Sequence, residues 1–77
     1  MKYSLRCWMS TPGSLFDDVE TANSPEEAIG KAKQLLGIFD NIIDDEVQQK
    51  IMDMAKGEKI VIKKSYIKTT LHIKRLR

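Results

Sequence analysis

Both ends of this chain alternate polar and apolar residues with a period of two. Tyr3, Leu5, Cys7 and Met9 share one parity against Lys2, Ser4, Arg6 and Trp8. Near the C-terminus Ile67, Thr69, Leu71 and Ile73 share one parity against Tyr66, Lys68, Thr70, His72 and Lys74. Successive side chains on a strand point to opposite sides, so each run reads as a strand with one apolar face turned inward. A chain of 77 residues builds a single core, since a domain this small buries only about 60% of the surface its unfolded form exposes. One domain spanning residues 1–77 is expected.

The segments between supply turns and helices. In Thr11-Pro12-Gly13-Ser14, proline presets φ at the first central position and glycine supplies positive φ at the second, as a type II turn requires. Residues 16–22 read as a return strand, with a plain acidic loop as the alternative; Asp17, Asp18 and Glu20 can face Lys2 and Arg6 across that hairpin. Ser24-Pro25-Glu26-Glu27 is the sharpest local signal. Ser24 can cap, Pro25 fits the first helical position, and Glu27 can reach back in a capping box. Ala28, Ile29, Ala32, Leu35 and Leu36 then form a stripe at helical spacing, and Gly37 is a natural stop. Gly30 costs about 1 kcal/mol relative to alanine inside a helix, which means either close packing there or simple tolerance.

Residues 38–43 read as a connector tucked under the core. Asp44 or Asp45 can cap a second helix, with Val47, Ile51, Met54 and Ala55 on one face and Gly57 at its end. Ile60 and Ile62 alternate with Lys59, Val61 and Lys63, giving a third strand. The apolar parity shifts from even to odd between Ile62 and Ile67, so either a turn at residues 63–66 or a bulge in one long strand is required. The turn is preferred, because an unbroken strand over residues 59–74 is long for so small a domain. The expected fold class is α+β: a small antiparallel sheet in the order β-β-α-α-β-β, with three or four strands, two helices on one face and the other face open.

Cys7 is the only cysteine, so no intramolecular disulfide can form, and a reducing, cytoplasmic setting is expected. No charged start followed by an apolar block opens the chain, so no signal peptide is expected. The longest apolar stretches, residues 35–39 and 60–62, fall far short of the ~20 residues a membrane helix needs. Charge is segregated along the chain. Residues 11–55 carry ten acidic residues against three lysines, whereas residues 56–77 carry eight basic residues against Glu58. An acidic middle and a basic end point to an anionic partner or to self-association.

Catalytic chemistry is poorly supplied. His72 is the only histidine and falls on the polar parity of a strand, where an ordinary solvent-facing role is preferred to that of a catalytic base. Cys7 falls on the inward parity, where a free cysteine behaves as a small hydrophobe and not as a tuned thiolate. Asp40, Asp44, Asp45 and Glu46 lack the spacing and glycine of a calcium loop, and helix-start chemistry accounts for them. Phosphate-binding and nucleophile-elbow glycine motifs are absent. No enzymatic activity, cofactor or metal is expected.

What remains is the open sheet face. The parities gather Arg6 and Trp8 with Tyr66, Lys68, His72 and Lys74, and Arg75 and Arg77 stand at the end of the last strand. Two functions follow. One is a small interaction protein that binds and modulates or inhibits a larger protein, of the type found among viral and mobile-element accessory proteins, with a homo-oligomer as a further option. The other is a nucleic-acid-binding module, since cations neutralise phosphates while rings stack on bases. The candidate binding surface is Arg6, Trp8, Lys63, Lys64, Tyr66, Lys68, His72, Lys74 and Arg75.

Overall fold

The structure, a computed structural model, describes residues 1–9, 17–64 and 66–77. The Thr11–Ser14 turn and Phe16 lie outside the described residues. Four strands form one antiparallel sheet: β1 (Tyr3–Met9), β2 (Asp17–Ala22), β3 (Lys59–Lys63) and β4 (Thr69–Arg75), in spatial order β2-β1-β4-β3. The last twenty residues are therefore two strands and not one bulged strand. The first and last strands of the sequence sit side by side in the middle of the sheet. Their ends zip together as the Lys2 N–H donates to the Arg77 carbonyl and the Leu76 N–H to the Lys2 carbonyl.

Helix α1 (Pro25–Leu36) lies across β1, β2 and β4, and α2 (Asp45–Met52) packs against α1, so both helices cover the same face. The core between the layers is built from the inward parities read in the sequence. Tyr3, Leu5 and Cys7 of β1 and Leu71 and Ile73 of β4 meet Ala28, Ala32 and Leu36 of α1 and Ile51 of α2. Met9, at the end of β1, stays 39% exposed despite its inward parity.

The helix ends show how local chemistry sets the element bounds. The Ser24 hydroxyl accepts the Glu27 N–H at 3.1 Å. The reciprocal bond, however, runs from the Asn23 N–H to the Glu27 carboxylate, one residue upstream of the usual box. Gly37 closes α1 at φ 59°, and the connector is a 3-10 segment, Gly37–Ile42. Asp44 caps α2 by accepting the Val47 N–H at 3.0 Å.

Helix α2 ends at Met52, earlier than Met54, Ala55 and Gly57 suggest. Side chains take over the backbone groups that a longer helix would use: Glu58 accepts the Ala55 N–H at 2.8 Å, and Arg75 donates to the Met54 carbonyl at 2.6 Å. Gly57, at φ 87°, then forms a bulge opposite Arg75. Its N–H donates to the Arg75 carbonyl while the Arg75 N–H donates to that of Glu58.

Candidate functional site

The strand register lays the open face out in three rows. Across β2-β1-β4-β3 they read Thr21, Ser4, Lys74, Lys59; then Val19, Arg6, His72, Val61; then Asp17, Trp8, Thr70, Lys63. Arg6, Trp8, His72, Lys74 and Lys63 thus share one surface, with Asp17 facing Arg6 as the hairpin expectation has it. Val19, Lys59 and Val61 stand on the same face, beyond the residues expected there. The Ile60/Ile62 alternation carried the signal for Lys59 and Val61. Val19 needed the hairpin register, which is a pairing between distant residues.

Four side chains form a connected cluster across β2, β1 and β4. Arg6 donates from Nε and Nη2 to the two Asp17 carboxylate oxygens at 3.0 and 2.8 Å, the bidentate geometry that guanidinium favours. The same guanidinium lies 5.1 Å from the centroid of the Trp8 ring, within cation–π range. Trp8 in turn meets His72 edge to face, with centroids 4.5 Å apart. Trp8 and His72 are both half-buried, while Arg6 and Asp17 are exposed.

The electrostatics follow from these contacts. The hydrogen bonds from Arg6 hold the Asp17 carboxyl below its ordinary range, and Asp17 raises the Arg6 guanidinium in return. Burial lowers the His72 imidazole below its ordinary value, and Lys59 and Arg6 add to the effect by repelling a second positive charge.

Other expected residues go elsewhere. Lys64 and Tyr66 line a concavity of about 250 Å³ beside the start of α2, with Asp44, Glu46, Val47 and Lys50 among its walls. Arg75 falls on the inward parity, opposite Tyr3, where its guanidinium holds the Met54 carbonyl. Lys68 is exposed in the segment before β4. Cys7 is buried, and desolvation pushes its thiol above the ordinary value, with Asp18 and Asp17 adding to the rise. That is the opposite of the tuning a nucleophile needs.

Among the described residues no three His, Cys, Asp or Glu side chains gather as a metal site. Among the described residues, too, no helix is long and apolar enough to cross a membrane. No protein-family model matches the chain, and comparisons with curated proteins and with solved structures return no match.

Proposed function

We propose that this chain is a non-enzymatic interaction protein that seats its open sheet face on a larger partner protein and modulates or inhibits it. The observation that carries this reading is the middle of that face. Arg6, Trp8 and His72 interlock there, and exposed Val19 and Val61 flank them in the same row. Arginine and tryptophan dominate binding hot spots, and apolar residues beside them suit the dry centre of a protein contact better than a phosphate backbone. Lys59, Lys63 and Lys74 around this centre favour an acidic partner. Four strands about 4.8 Å apart and five to seven residues long present roughly 400 Å², half of the ~800 Å² per partner of a standard interface. The contact therefore takes in a neighbouring loop or sheet edge as well. The buried free thiol of Cys7 accords with a reducing, cytoplasmic setting.

A second reading, single-stranded nucleic acid, rests on the cations that share the open face with Trp8. Against it, Asp17 stands on the same face, and Arg6 is already committed to Asp17 and to the Trp8 ring.

Two measurements separate these readings. Affinity capture from lysate, followed by titration of the purified captured protein, is expected to show binding that Trp8→Ala abolishes. Fluorescence anisotropy with labelled single-stranded RNA and duplex DNA is expected to stay flat. RNA binding that weakens with salt by a log-log slope of about 0.7 per phosphate contact would transfer the assignment to nucleic acid.

A further inference from the structure

The two outer edges of the sheet are complementary in charge, direction and hydrogen-bonding phase. Among the described residues no strand pairs with the outer side of β2 or of β3. β2 carries Asp17, Asp18 and Glu20, whereas β3 begins and ends on Lys59 and Lys63. All neighbours in the sheet are antiparallel, so β2 and β3 themselves run in opposite directions. A second copy displaced sideways along the rows brings its β2 antiparallel to the β3 of the first.

The backbone phase also matches. Arg75 bonds toward β3, through Gly57 and Glu58, and Leu76 bonds toward β1, through Lys2. Residues along a strand direct their N–H and C=O groups to alternate sides. Carried across the register, this alternation leaves Lys59, Val61 and Lys63 with outward backbone groups on one edge, and Asp17, Val19 and Thr21 on the other.

We propose that this chain self-associates head to tail, with β3 of one copy pairing to β2 of the next so that the sheet continues across the contact. Extending the rows places Val61 opposite Val19, Lys63 opposite Asp17 and Lys59 opposite Thr21, and each facing pair is able to exchange two backbone hydrogen bonds. Asp17 remains 43% exposed despite its bond to Arg6, so its carboxylate can also meet an incoming lysine. The competing symmetric contacts are penalised. β3 against β3, centred on Val61, sets Lys59 against Lys63, and β2 against β2, centred on Val19, sets Asp18 against Glu20. A heterologous contact of this kind does not close on itself, and strand twist turns the product into an open helical filament.

Sedimentation velocity of the full chain tests this. In low salt the average mass is expected to rise with protein concentration beyond a dimer and to fall back in high salt. Val61→Pro and Val19→Pro each remove one outward N–H from an edge strand, where proline is tolerated. Each variant alone is expected to be monomeric, and an equimolar mixture to give a heterodimer and nothing larger. Circular dichroism checks that both fold. If either does not, Lys59→Glu/Lys63→Glu carries the test, with association expected to weaken about tenfold or more. A wild-type chain that stays monomeric at ~1 mM in low salt overturns the proposal, as does a dimer that persists in either proline variant alone, or association that the double glutamate variant leaves unchanged. Binding of an acidic peptide at the β3 edge without self-association would likewise overturn it and assign that edge to a partner.

Discussion

Trp8 and His72 are diagonal neighbours on β1 and β4, and their rings meet edge to face at 4.5 Å with an interplanar angle of 74°. Directly opposite His72 is Arg6, whose guanidinium lies over the Trp8 ring. A cation and a titratable ring are thus held together by one indole. The arrangement orders side chains that would otherwise be mobile, which lowers the entropy lost when a partner binds.

His72 gives a pH dependence with a definite sign. Its folded value lies below the unfolded one, chiefly through burial, so the unfolded chain binds more protons. Stability is expected to be unaffected above about pH 7, to fall as pH drops through the unfolded histidine value of about 6.5, and to level off below the folded value. Thermal melts from pH 7.5 to 5 should show this slope in the wild type and a flatter one in His72→Gln. Trp8→Ala should move the NMR titration midpoint of His72 up toward the ordinary value. A wild-type midpoint at or above that value would contradict the packing described for this pair.

Asp17 acts at the other end of the pH scale. The bond from Arg6 depresses its folded value, so its contribution is present above the unfolded aspartate value of about 3.9 and is lost as pH falls through the folded one. The wild type is expected to melt slightly above Asp17→Asn at pH 7, and the gap to close as pH falls below the folded value. Because the pair is exposed and screened, the gap at pH 7 should also shrink in high salt. A gap that survives after the Asp17 carboxyl is protonated would show that the asparagine disturbs packing and not charge.

The elements were legible because their causes are local. Alternation in β1 and β4, the Ser24 cap and the Gly37 stop each involve residues within a few positions of one another. What the sequence withheld is pairing. Nothing in the residues near Trp8 states that β4 is its neighbour, because β1 and β4 are about sixty residues apart. Arg75 continues the inward parity of Leu71 and Ile73, so its direction was legible in the alternation, but its acceptor was not: the Met54 carbonyl is free only because α2 ends at Met52. Lys64 and Tyr66 left the expected surface because they follow the end of β3, where strand parity no longer governs direction.

Two glycines should respond to alanine in opposite directions. Gly30 lies in the interior of α1, and a Cβ built there meets nothing within 4 Å. Tolerance and not close packing therefore explains it, and Gly30→Ala is expected to stabilise by about 0.5–1 kcal/mol. Gly37 has equal space but sits at φ 59° and ψ −116°, a backbone conformation that side chains disfavour. Gly37→Ala is expected to cost about 1–3 kcal/mol. Urea titrations of the two variants check both signs, and a stabilising Gly37→Ala would contradict the helix end described here.

Leu5 tests whether the sheet and helix layer share one core. It is fully buried at the centre of β1, between Glu20 on β2 and Ile73 on β4, and it belongs to the cluster that includes Ala28 and Ala32. Truncating such a residue costs about 2–5 kcal/mol, from lost transfer energy and from the cavity left behind. Marginal stability of about 0.05–0.15 kcal/mol per residue gives a chain of this length only roughly 4–11 kcal/mol in total. Leu5→Ala is therefore expected to remove a large share of the stability and to leave a measurable unfolded population at 37 °C. Val61→Ala, at a residue that is 54% exposed on the open face, is expected to stay within about 0.5 kcal/mol of the wild type. Urea midpoints at equal slope make the comparison. A loss below about 1 kcal/mol for Leu5→Ala would mean that the inward face of β1 is not packed against α1, and the layer architecture would have to be revised.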